Sequence, residues 1–160
     1  MPKISKKALA SATRKVNSMD IKAKELAFED VFAEQPNLLA SILVQHRLGN
    51  TMNDVESLLH ILLVLHFAIK EAGIVIPKIS EHEQQRQLEI LEHSVLFSEG
   101  MSSNLAQSSV NQYINNHKEP VLLAYVIGAM QEAGFLKNKN EASKFLIMTG
   151  INLVSCIAEA

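Results

Sequence analysis

The stretch that most limits what this chain can fold into is Leu58 to Ile69, LLHILLVLHFAI, twelve residues in which only His60 and His66 interrupt an apolar run. A helix that is apolar on every side has to be surrounded by other apolar material. The fourteen residues from Phe145 to Ala158 have the same character. Both runs fall short of the roughly twenty residues that cross a bilayer. They are expected to be buried core helices, with no membrane partner.

The rest of the chain reads as helices packed around that centre. Aromatic residues make up only 5% of the 160 residues, Trp is absent, and the apolar content is mostly Leu, Ile, Ala and Met. Such usage favours helix-on-helix packing over a sheet sandwich. The expected fold class is all-α: a compact bundle of about six or seven helices in one domain, residues 18–160. Cys156 is the only cysteine, so no internal disulfide can form and a reducing, cytoplasmic setting is expected. The short Ala-x-Ala boxes near residues 8–12 lack a preceding apolar segment and do not make a secretory signal.

Charge is distributed unevenly. Residues 1–24 carry a net +6 and residues 25–160 a net −8. Residues 1–17, with Lys3, Lys6, Lys7, Arg14 and Lys15, are expected to form a flexible basic arm able to reach an acidic partner or nucleic acid.

Taken in order, Leu26, Phe28, Val31 and Phe32 recur at roughly helical spacing, predicting an amphipathic helix that buries them. Pro36 opens a helix to Leu48, stopped by Gly49. Asn53 and Glu56 form a capping box for the central helix, which ends at Gly73. The segment Ile74 to Ile79 contains Pro77 and is expected to be an extended linker. Ser80 and Glu83 cap a polar helix to about Glu99, with Leu88, Leu91, Val95 and Leu96 inward and Gly100 as its stop. Ser103 or Asn104 starts a further helix; Pro120 to Ala133, then a helix capped by Asn140, complete the chain.

Two segments are alike. Glu34–Leu43 and Lys118–Ile127 align without a gap at an offset of 84, sharing Pro, Leu, Leu and Ala. The order of elements around them also matches, so residues 18–73 and 103–160 read as pseudo-repeats of a three-helix unit joined by the helix 80–99. Gly128 and Gly150, inside apolar helices, suggest close backbone approach.

Few residues suggest chemistry. Glu56 and His60 lie four apart and share a helix face, making them a candidate polar core pair or pocket wall. His66 is a further core candidate, but six residues round an ideal helix it cannot converge with His60 on one ligand. No histidine is preceded at i−3 by Glu, so the di-iron carboxylate pattern is missing, and His82-Glu83-x-x-Arg86 lacks the second histidine of a zinc clamp. No nucleophile motif, phosphate loop or dinucleotide fingerprint occurs. No catalytic residue, metal or cofactor is expected. Ser103 to Asn115 has only a partial likeness to a helix-turn-helix.

The expectation is therefore a non-enzymatic interaction or regulatory module that self-associates, because Pro120–Met130 and Phe145–Ile157 offer more apolar surface than a monomer needs to bury. The alternatives are a small-molecule-binding bundle with a pocket near the central helix, and nucleic-acid binding through the basic arm.

Overall fold

A computed structural model describes residues 2–94, 103–137 and 140–160, with residues 103–109 described as backbone only. They form an all-α bundle of eight helices: α1 (Lys6–Asn17), α2 (Ile21–Glu34), α3 (Pro36–Leu43), α4 (Met52–Glu71), α5 (Glu81–Glu92), α6 (Ser103–Asn116), α7 (Pro120–Glu132) and α8 (Glu141–Glu159). A short 3-10 turn, Val44–His46, follows α3. The all-helical expectation holds, with one helix more than the upper count.

The extra helix is α1. The basic leader is not a flexible arm: Ser5 caps it by accepting from Ala8 N, and Ala8, Ala12 and Val16 pack on α4. Three small residues four apart make an inward stripe narrow enough for close approach. The charges that dominate the leader's composition simply occupy its other faces.

Helix α4 is the core, as the apolar run requires. Every residue from Ile61 to Ala68 is buried, and so is every residue from Gly150 to Ala158 on α8. By length and composition both helices could cross a membrane, but most of each is covered inside this bundle. They meet at Gly150, where an added Cβ would lie 3.5 Å from Leu58 Cδ2 and 2.5 Å from Met130 Sδ. Close approach thus explains Gly150. It does not explain Gly128, around which an added Cβ meets nothing within 4 Å.

Local signals worked best at helix ends. Asn140 Oδ1 accepts from Ser143 N and Ser80 Oγ from Glu83 N, as expected of N-caps. Glu83 does not close the box; its carboxylate takes Arg86 and Gln87 instead. Thr51, not Asn53, caps α4, accepting from Asp54 N. Gly49, Gly73 and Gly134 each end a helical segment at positive φ. Helix α3 stops at Leu43, earlier than expected, because the chain tightens into the 3-10 turn before Gly49. On α2, Ala27 and Val31 are buried while Leu26 and Phe32 are exposed, since only a narrow side of α2 reaches the core. The expected inward positions Val95 and Leu96 and the stop at Gly100 lie outside the described residues.

Residues 2–73 and 77–160 run through the same order of elements. Helices α1 and α5 have 12 residues each, α2 and α6 have 14 each, and α4 and α8 have 20 and 19. The tetrapeptide Pro-Lys-Ile-Ser stands before both α1 (Pro2–Ser5) and α5 (Pro77–Ser80), with the Ile buried and the Ser capping. The helix after Ser80 thus follows the same capped tetrapeptide as α1 and has the same length. The remaining pair, α3 and α7, differs more, with 8 and 13 residues.

Each tetrapeptide is held by the other half. Gln35, just before Pro36, donates to Pro77 O at 2.8 Å and accepts from Ile79 N at 2.9 Å. Glu119, just before Pro120, accepts from Lys3 N at 2.6 Å and Ile4 N at 3.3 Å. Both residues are buried, and both have nearly the same non-helical backbone ahead of the proline, φ −137° and ψ 62° against φ −122° and ψ 69°.

Substituting the two helix glycines separates their roles. Gly128→Ala is expected to stabilise the fold by about 0.5–1 kcal/mol through helix propensity alone. Gly150→Ala is expected to lose about 1 kcal/mol or more, because overpacking against Met130 outweighs that gain. Urea midpoints measured at constant slope would show the opposite signs.

Candidate functional site

Two cavities flank α4, and its two histidines divide between them. The larger is an open cleft of about 830 Å³ between α1, α2, α4 and α7. Asn53, Glu56 and His60 reach it from one face of α4, as their spacing requires. Lys24 enters from α2, and Tyr125 and Glu132 from α7. The floor is the small side of α7, with Ala124, Gly128 and Ala129. The cleft exists because those side chains are too short to fill it, which gives Gly128 a role.

Burial, reinforced by the charge of Lys24, pushes the His60 pKa below its ordinary value, so the ring is neutral near pH 7. The Tyr125 hydroxyl is pushed up to about 12, first by burial and then by Glu132. It stays protonated and can serve as a donor. Glu56 and His60 share the cleft wall, but no hydrogen bond joins them among the described residues.

The second cavity, about 300 Å³, lies between α2, α4 and the extended segment after Gly73. Val31, Leu38, Leu62, Leu65, Ile69 and Ile76 give it an apolar lining. His66 also lines it and is only 7% exposed. Its Nδ1 stands 3.7 Å from Glu34 Oε2, while its Nε2 is buried with no hydrogen-bond partner. Burial and Lys70 lower the His66 pKa, outweighing the opposing influence of Glu34 and Asp30. As the helical angle required, His60 and His66 do not share a site.

The basic residues of the leader are spread around α1. Lys6, Lys7 and Arg14 are exposed. Lys15 Nζ sits 4.7 Å from the centre of the Phe67 ring, a cation–π contact, and Lys3 Nζ donates to Ala160 O. Removing residues 1–17 would therefore remove part of the core as well as the charge.

Other candidates resolve into structure. Cys156 is fully buried, and burial pushes its thiol up to about 12, far from a reactive thiolate. Glu83, held down to about 2 by Arg86 and Gln87, belongs to a surface pair. Helix α6 is uninterrupted from Ser103 to Asn116, so no helix-turn-helix exists there. Among the described residues, no group of three or more His, Cys, Asp or Glu could hold a metal.

Lys24, Tyr125 and Glu132 were not singled out from sequence. The only signal for the last two was an aromatic and an acid flanking the small residues of α7. Nothing linear connects them to α4. Comparison with known proteins finds no matching family model, curated protein or solved structure.

The depressed His66 pKa has a sign that can be checked. A histidine kept neutral by the fold contributes stability that is present above its unfolded value of about 6.5 and is lost as pH falls through the lower folded value. Wild type is expected to lose more stability than His66→Phe between pH 7 and pH 5. Denaturant titrations of both proteins across that range measure the difference.

Proposed function

We propose that this protein is a non-catalytic helical binding module, that its site is the cleft between α1, α2, α4 and α7, and that its ligand is a small polar molecule carrying an amine. One observation carries this reading: two carboxylates, Glu56 and Glu132, and the Tyr125 ring line one cleft beside a single lysine, Lys24. Carboxylates and an aromatic ring together favour an ammonium group. His60, neutral near pH 7, and the protonated Tyr125 add hydrogen-bonding capacity without further charge. The volume lies within the range of small-molecule sites. The matched halves are, on this reading, copies of one four-helix unit of which only the first has acquired the cleft. Its counterpart beside α5, α3 and α8 is smaller, about 210 Å³.

Titration calorimetry with putrescine, and with butyric acid as a control of opposite charge, tests the proposal. Putrescine should bind and butyric acid should not. Glu56→Gln combined with Glu132→Gln should weaken putrescine at least tenfold, and Gly128→Leu should abolish binding by filling the floor. Unchanged affinity in both variants would remove the cleft from consideration.

A second reading, self-association, no longer rests on Pro120–Met130 or Phe145–Ile157, whose apolar side chains are mostly internal. What supports it now is an exposed apolar group, Leu43, Val44, Leu48, Met52 and Phe145, on segments tied together by Gln45 to Thr149 and Asn50 to Ala142 hydrogen bonds. Sedimentation should show a dimer that Leu48→Glu dissociates; a monomer in wild type at micromolar concentration would dismiss it.

A further inference from the structure

We propose that α1 and α5 are the two sides of a contact between copies of this chain, the basic outer face of α1 on one copy lying along the acidic outer face of α5 on the next. The two helices correspond in place. Counted from their capping serines, Ser5 and Ser80, the buried Ala12 and Val16 of α1 fall where α5 has the buried Gln87 and Leu91. Their inward sides therefore match, and so do their outward sides.

On those outward sides the charges are exchanged. Lys6 stands at the place of Glu81 and Arg14 at the place of Glu89, and all four are exposed. Ala10 and Gln85, also exposed, occupy the turn between them. Residues four and eight apart follow one side of a helix, so each face sets its two charges about 12 Å apart. Laid antiparallel, the helices bring Lys6 of one copy to Glu89 of the next and Arg14 to Glu81, with the short Ala10 permitting close approach.

The remaining charges agree in sign. Helix α1 also carries Lys7 and Lys15 and has no acidic residue, while α5 also carries Glu83 and Glu92 against Arg86 alone. Arg86 is committed to Glu83 at 2.9 Å. Among the described residues, Lys6, Arg14, Glu81 and Glu89 enter no ion pair within the chain.

A second copy is the occupant that uses both faces. A polyanion such as nucleic acid would meet α1 and leave α5 unused, and a chain of net charge −2 approaches it against its own charge. The joined faces are unlike, so each copy has one of each to offer and can bind two neighbours. This contact is separate from the exposed apolar group around Leu48 and does not depend on it.

Exposed ion pairs are individually weak and screened by salt, so the association is read by sedimentation of the full chain at sub-millimolar concentration. In about 10 mM salt, where charges act over about 30 Å, the average mass should rise with concentration, and in about 1 M salt it should return to the monomer. Lys6→Glu with Arg14→Glu should abolish the rise, and so should Glu81→Lys with Glu89→Lys. Lys22→Glu with Lys137→Glu, an equal change in net charge at other exposed positions, should not. All four face substitutions together exchange the signs, keep the net charge, and should restore association. Leu48→Glu should leave the salt-dependent rise intact. The proposal is overturned by a wild-type monomer at low salt, whether or not it binds duplex DNA, by association that survives either pair of reversals, by equal loss in the control pair, by no recovery in the fourfold variant, or by loss in Leu48→Glu.

Discussion

The structure depends on covering two helices that are apolar nearly all the way round. Each large aliphatic side chain removed from water contributes about 1.5–3 kcal/mol, and α4 and α8 each bury an unbroken run of residues. No single neighbour can cover such a helix. Helix α4 is packed by α1, α2 and α3 from its own half and by α7 and α8 from the other; α8 is packed by α5 and α7 from its own half and by α3 and α4 across. The two halves therefore form one core, and Gly150 lets the central helices approach at the point where Leu58 and Met130 also converge.

The extended segments are the second tie between halves, and their chemistry shows how similar positions can diverge. Gln35 offers both a donor and an acceptor, so it pairs with a carbonyl and an amide of the segment it holds. Glu119 can only accept when ionised, and it takes two successive amides of the N-terminal segment. Both arrangements satisfy backbone groups that would otherwise be buried without partners. The first also fixes the linker that closes the His66 cavity, so the tie between halves and the shape of that cavity are one feature.

Because α4 is surrounded on all sides, its polar residues meet different environments according to their angle around the helix. His60 faces the cleft, where α7 presents alanine and glycine and leaves space. His66 faces α2 and the linker, in a cavity whose rim charges are already paired. The two histidines, alike in sequence context, thus meet different surroundings: an open cleft with two carboxylates near the first, an apolar cavity with a paired rim at the second. The difference comes from which neighbours each face receives.

The sequence by itself determined the helical class, the central place of Leu58–Ile69 and Phe145–Ala158, the separation of His60 from His66, and the caps at Ser80 and Asn140. These depend on periodicity and on hydrogen bonds within a few residues, which are local and readable along the chain. It misassigned residues 1–17, because five charges masked a stripe made only of Ala8, Ala12 and Val16, and it placed Leu26 and Phe32 inside when α2 shows the core a narrower side. Only the tertiary structure decided where space remains. The cleft joins Lys24, His60 and Glu132 from three helices, and the His66 cavity is bounded by a linker whose position is fixed by Gln35. Cavities are set by how far apart packed helices hold their side chains, and that distance is a property of the assembled core and not of any one segment.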